Sequence, residues 1–344
     1  MKKTKLTRDY LPGYDLLRIM ATFAVIILHV STLNLGSSAL GSGNWTAMMV
    51  WDGAVRWSVP LFFMISGALF LQSDKPYRQI LFKNALRILT AFLFWSLIYT
   101  IVAHPTGWKT FIFTWLSGHY HMWFCYAILG IYLVIPILRH IVKDEKVTKI
   151  FMIFWSVFAS LIPFAEFIAW LVSPTFSKLI NTVNSKIDLL LPMGYTGAFM
   201  LGYCLRNIPP KMKRLLYFLG ILGLVITPLS AVLASLKYGR PITSLYPYLM
   251  PNVILPAAAL FVLLKDIRIR KEGLKRFLRI LADASFGTYL IHVLVLDLMT
   301  HLGFSPLLFS PWISVPVIAI ACAVISFAIS ALIRRIPFVG KIIS

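Results

Sequence analysis

Ten apolar stretches of about 20 residues recur along this chain, and a stretch of that length crosses a hydrocarbon core of about 30 Å. They lie near residues 13–33, 51–72, 84–103, 120–138, 150–172, 189–206, 215–236, 245–264, 280–302 and 310–333. The chain is 59% hydrophobic and only 13% charged, with a mean hydropathy of +0.82. Soluble domains carry roughly a quarter charged residues. The sequence therefore predicts an all-α, polytopic bundle of about ten transmembrane helices whose main solvent is the bilayer.

A net charge of +21 raises nucleic acid as a partner. The 33 Lys and Arg residues, however, sit in short clusters between apolar spans instead of along one soluble face, which argues against it. One set of loops carries Lys2, Lys3, Lys5 and Arg8; Lys75, Arg78, Lys83 and Arg87; Arg139, Lys143, Lys146 and Lys149; Arg206, Lys211, Lys213 and Arg214; then residues 265–279 and the tail. The opposite set holds only Lys109, Lys178, Lys186, Lys237 and Arg240. Short cytoplasmic loops retain positive charge, so both termini are expected in the cytoplasm, with the protein multi-pass in the cell membrane.

MKKTKL before an apolar run has the look of a signal peptide. Ten crossings with both ends inside favour keeping that run as the first span. No soluble domain is expected after the last one, so residues 1–344 read as one membrane domain. Cys125, Cys204 and Cys322 fall inside apolar segments without paired or metal-like spacing, and no metal is expected. Trp45, Trp51 and Trp57, then Trp108, Trp115 and Trp123, are expected as interfacial anchors at the outer ends of spans.

Ionisable side chains inside lipid are costly and so are functional candidates. In GYDLLRIMATFAVIILHV, Arg18 and His29 are eleven residues apart, about 1100° around a helix and within about 20° of three full turns. They share one face, about 16 Å apart along the axis. Spacing alone leaves a second reading open, in which Arg18 snorkels to headgroups beside Asp15 and His29 only bonds a neighbouring helix.

The pattern Asp15, Arg18, His29 in a first transmembrane helix resembles the signature of the membrane-bound acyltransferase 3 family. The resemblance continues through VPLFFMISGALFL at 59–71, with Phe62, Phe63, Ser66 and Gly67, and through Lys83 and Arg87 at the start of the third helix. It extends through HMWFCYAILGIYLVIPILR at 121–139, GYTGAFMLGYCLR at 194–206 and SFGTYLIH at 285–292, so nearly the whole chain is covered. It implies transfer of an acyl group, commonly acetyl, from cytoplasmic acyl-CoA to a hydroxyl of a cell-surface glycan, cell-wall precursor or similar carbohydrate.

Under that reading His29 is the candidate base or acyl carrier, since imidazole does either near neutral pH. Arg18 lines the donor's path, and Arg18, Lys83, Arg87 and Arg206 are candidates for its phosphates. Ser66, His121, Glu166 and His292 are candidates for the acceptor side. Asp52 and Arg56, four apart, read as a structural pair. The rival from another class is a transporter or flippase for a small metabolite or lipid-linked sugar, which embedded charges and the prolines at 60, 136, 163, 192, 228 and 256 would also serve. That rival gives no account of the shared Arg18 and His29 face. The acceptor, acyl chain length, the choice between acyl-histidine and general base, and the oligomeric state are not legible in the sequence.

Overall fold

The computed structural model describes residues 11–187, 190–337 and 340–343, and among them the chain is helical without strands. Lys2, Lys3, Lys5 and Arg8, the basic N-terminal segment, and residue 189, the expected start of the sixth span, lie outside the described residues. Each of the ten apolar stretches contains helix, although the eighth, expected from residue 245, turns helical only at Pro251. Eight belong to helical stretches long and apolar enough to cross a membrane. The other two, Leu190–Cys204 and Pro251–Leu264, are shorter, at 15 and 14 residues.

Within hydrocarbon a backbone must satisfy its own N–H and C=O groups, which is why apolar sequence of this length becomes helix. In chain order the helices used below are α1 (Pro12–Thr32), α2 (Gly43–Ala54), α3 (Ser58–Phe70), α4 (Leu86–Ala103), α5 (Trp123–Ile141), α6 (Glu145–Trp155), α7 (Ile162–Val172), α8 (Leu190–Cys204), α9 (Pro210–Tyr238), α10 (Pro251–Leu264), α11 (Glu272–His301) and α12 (Pro311–Ile333). Long apolar side chains such as Ile137, Phe218, Ile221 and Val324 stay exposed around the outside. So wide an apolar exterior suits lipid and not water.

α1 opens with Pro12 at its first turn, where the missing N–H costs nothing. It packs against α2, α3, α11 and α12, and Leu17, Ala21, Ile26 and Val30 are fully buried in those contacts. α3 and α8 cross at close range. A methyl group at Gly67 would run into the carbonyl of Phe199, and one at Gly202 into the carbonyl of Met64. Small residues at such a crossing let two backbones meet and gain dispersion contact where lipid offers no hydrophobic driving force. α8 is kinked at Gly194, whose carbonyl accepts from Trp155 Nε1 at 2.8 Å.

Polar contacts tie further pairs. Asn252 on α10 donates to Thr227 Oγ1 on α9 at 2.9 Å, and Ser330 on α12 donates to the Ala284 carbonyl on α11 at 2.8 Å. Tyr99 on α4 donates to the Leu290 carbonyl on α11 at 2.9 Å. Interhelical bonds of this kind contribute about 0.6 kcal/mol each on average.

Two expectations about the spans change. The second is not one helix over 51–72: it starts at Gly43, breaks at residues 55–57 and resumes at Ser58. Arg56 sits in that break, bonded to Asp52 at 2.5 Å and lying over the Tyr246 ring at 4.7 Å, so the break is occupied by a paired charge as the four-residue spacing suggested. The tryptophans are not all anchors. Trp45 is buried with Met49, Ala231 and Tyr246, because α9 covers that side of α2, and Trp123 faces the interior cavity described next. Trp108 is exposed. Cys125 and Cys322 are buried, Cys204 is half-buried, and all three are free thiols.

Candidate functional site

A cavity of about 600 Å³ runs inside the bundle, bounded by α1, α3, α4, α5 and α11. One end is cationic: Arg18, Lys75, Arg87 and Arg334 line it, with Asn84 and Asp283 among them. The other end is lined by His29, Tyr120 and His121. Between them the wall is apolar and aromatic, with Val25, Ile65, Phe124, Ile128 and Phe286, interrupted by Ser66 and Ser285. Arg18 and His29 thus face one cavity, as the 100° helical periodicity requires of them.

The cationic end owes its shape to breaks in regular helix. A π-helical segment, Ile80–Ala85, precedes α4 and brings Asn84 and Arg87 to the wall. Such wide turns are common where a helix is shaped for function. Arg139, at the last turn of α5, closes the chain after α3 onto this end. Its guanidinium donates to the Phe70 carbonyl at 3.0 and 3.2 Å and to the Lys75 carbonyl at 2.7 Å. Arg18 keeps a loose bond to Asp15 at 3.4 Å while lining the cavity, so the pairing read as an alternative coexists with a place on the cavity wall.

The histidine end is assembled from three places in the chain. His29 comes from α1, His119 and His121 from the link before α5, and His292 from α11. The His29 ring centre is 5.1 Å from that of His292, 6.1 Å from His121 and 5.4 Å from Tyr120. Tyr120 Oη is 3.3 Å from His29 Nδ1. His292 is fully buried and its Nδ1 lies 2.7 Å from the Tyr289 carbonyl. A carbonyl can only accept, so Nδ1 carries the proton there, and in the neutral ring Nε2 is the acceptor. That Nε2 and the Nε2 of His121 are buried without a protein partner. Among the described residues, no three His, Cys, Asp or Glu converge as a metal-binding group.

The structure brings together Arg18, His29, Ser66, Arg87 and His121 on the cavity wall, with His292 packed directly behind His29. It leaves three candidates elsewhere. Lys83 is exposed, which suits a strongly hydrated ammonium beside a headgroup layer. Arg206 bonds Gln72 and lies over the Tyr203 ring at 4.3 Å, while its carbonyl accepts from Lys265, so it fastens the end of α8 instead of lining the cavity. Glu166 accepts from Asn181 at 2.9 Å, joining α7 to the following helix Pro174–Ile187.

Sequence reasoning missed Tyr120, Lys75, Asn84, Asp283, Ser285 and Arg334 as wall residues. Lys75 and Arg334 were visible only as loop charges. Tyr120 had a signal in its position between two histidines.

Comparison with curated proteins and with solved structures gave no match. The family model of the acyltransferase domain, by contrast, matches residues 11–335, a stretch that holds every wall residue of the cavity and almost the whole chain. With eight helical stretches long and apolar enough to cross a membrane and a match of that extent, this chain belongs to the membrane-bound acyltransferase 3 family.

Proposed function

We propose that this chain is a multi-pass O-acyltransferase of the cell membrane that takes an acyl group, acetyl in the first place, from cytoplasmic acyl-CoA. The acceptor is a hydroxyl of a cell-surface glycan or its precursor. Residues 1–344 act as one domain with both termini in the cytoplasm, so the cationic end of the cavity opens to the donor. One observation supports this most: Arg18 and His29 line the same cavity, with further cations clustered at the Arg18 end and imidazoles at the other.

The donor's phosphates would be held by Arg18, Arg87, Arg334 and Lys75, arginine adding bidentate geometry to charge. Its pantetheine arm would follow the apolar middle and deliver the thioester toward His29. There the acceptor hydroxyl loses its proton to the imidazole, its oxygen attacks the thioester carbonyl, the C–O bond forms and the C–S bond breaks. Tyr120, against Nδ1, would hold the ring so that Nε2 faces the reacting atoms. The apolar and aromatic middle of the cavity would lower the local dielectric and so strengthen charge interactions there.

The test needs no acceptor. Purified protein in lipid is incubated with radiolabelled acetyl-CoA, and thioester cleavage and protein labelling are followed in wild type, His29→Ala and Arg18→Ala. Slow cleavage by wild type, lost in His29→Ala, with donor binding weakened in Arg18→Ala, is expected. Folded wild type that neither binds nor cleaves the donor overturns the reading.

A further inference from the structure

His119 and His121 stand two residues apart at the start of the fourth span, and neither the family match nor the donor path accounts for the first of them. Gly118, at φ +75°, turns the chain between the helix Trp108–Ser117 and the short 3₁₀ turn Tyr120–Met122. That turn brings the two rings edge to face, with Nδ1 of His119 2.9 Å from Nδ1 of His121. Two imidazole nitrogens at that distance share one proton: one ring donates and the other accepts.

The pair bridges two environments. His121 is buried, 5.2 Å from the His292 ring and 6.1 Å from His29. Its Nε2 has no protein partner. His119 is half-buried, and the adjoining Tyr120 is 62% exposed. The full length of α5 separates them from Arg139 and the cationic end. His119 is held in place by stacking on Tyr99 at 4.4 Å, itself fixed to α11 by the bond to Leu290.

We propose that His119 is a proton-exchange residue, which through its N–H···N bond to His121 connects the site at His29 with water at the end opposite the cationic mouth. This rests on His29 acting as the base. The hydroxyl proton passes to His29 as the C–O bond forms. The sulfur leaves as thiolate and takes its proton from water outside the mouth. The imidazolium of His29 then returns to neutral by passing a proton through His121 to His119 and on to water at the far end. Ester and thiol are formed, nothing is oxidised, and one proton is taken up on one side for one released on the other.

The groups around the pair are few. They are Tyr99 from α4, Tyr120, His29 from α1 with Arg56 behind it, Tyr289, His292 and Asp297 from α11, and Cys322 from α12. Among the described residues no carboxylate forms an ion pair with either ring.

The experiment uses the full chain in proteoliposomes, with acetyl-CoA supplied at the mouth and pH varied on the far side alone. Wild type should slow about tenfold per unit once far-side pH falls below the titration of the pair. His119→Gln should turn over at least about tenfold more slowly, keep the donor KM, and lose the dependence on far-side pH. Wild-type rate and far-side dependence in His119→Gln would overturn the proposal. Nitrogen-15 NMR of histidine-labelled protein in nanodiscs decides it without any turnover. A coupling across the His119–His121 bond, and slower solvent exchange at His121 in His119→Gln, support the path, whereas unchanged exchange at His121 refutes it. A wild type that cleaves no donor sinks the catalytic reading of His29 while leaving the NMR result to judge the pair.

Discussion

Gly67 of α3 and Gly202 of α8 form a reciprocal pair: each lies against a backbone carbonyl of the other's helix, Gly67 on Phe199 and Gly202 on Met64. Ser66, next to Gly67, and Ile65 line the cavity, so this crossing also sets one of its walls.

Either glycine should therefore be intolerant of a side chain. Gly67→Val and Gly202→Val each insert bulk against backbone, which cannot rotate away, and should cost about 3 kcal/mol or more. Thermal unfolding in nanodiscs would show it as a large drop in Tm for each single variant. A Tm within a degree or two of wild type for Gly67→Val would show that the helices separate more easily than this contact allows.

His29 and Arg18 should separate kinetically. His29→Gln would remove the proposed general base and should lower kcat about 10²- to 10⁴-fold with the donor KM little changed. Arg18→Gln should raise the donor KM about 10- to 100-fold, the equivalent of about 1.5–3 kcal/mol for a charge-assisted bond. Steady-state kinetics with acetyl-CoA and any competent acceptor resolves the two, and the reverse assignment of effects contradicts the donor path.

The basic residues near the mouth should divide by whether they reach the cavity. Arg334→Ala is expected to raise the donor KM about tenfold, and Lys83→Ala to leave it within about twofold. Isothermal titration with acetyl-CoA on both variants is sufficient. Equal losses would point to a diffuse field of charge in place of a built phosphate site.

Asp52 and Arg56 should behave as a unit of stability. Asp52→Asn leaves a largely buried guanidinium without its counter-ion, and breaking such a pair costs about 3–5 kcal/mol. The double variant Asp52→Leu with Arg56→Met should recover much of that loss, read as Tm. No recovery in the double variant indicates a role beyond pairing.

Burial holds the His119 imidazole below the ordinary histidine range. The ring acts while neutral, so protonation as pH falls removes it, and the acid limb of turnover should lie below about 6.5. A pH profile of kcat with its acid midpoint above 7 would not fit a half-buried histidine of this kind.

α1 was legible in the sequence because one helix fixes its own geometry: eleven residues bring Arg18 and His29 to one face whatever surrounds them. The apolar lengths likewise dictated ten helical stretches. The break at residues 55–57 was not legible, since Asp52 and Arg56 sit inside a continuous apolar run and only the packing of Tyr246 makes room for a paired charge there. Lys83 and Asn84 are neighbours, and charge pointed to the first, whereas a π-helical turn presents the second. His121 and His292 were singled out one by one. Their meeting with His29 depends on α1, α11 and the turn before α5 coming to one level, which periodicity along a single helix does not encode. Arg334 carried no more signal than any charge that follows a span.

Because α1 runs unbroken from Arg18 to His29, it behaves as a ruler about 16 Å long. If Arg18 anchors the donor and His29 meets its carbonyl, as proposed, a donor with another distance between head and carbonyl would reach one of them but not both. Such a ruler would test the arm between head and carbonyl, which is common to all acyl chains, and leave the acyl group itself to the cavity wall. One alanine inserted between the two marks would lengthen the ruler by only about 1.5 Å yet turn one mark about 100° away from the other, so under the proposed roles the register of a single helix would itself govern donor choice.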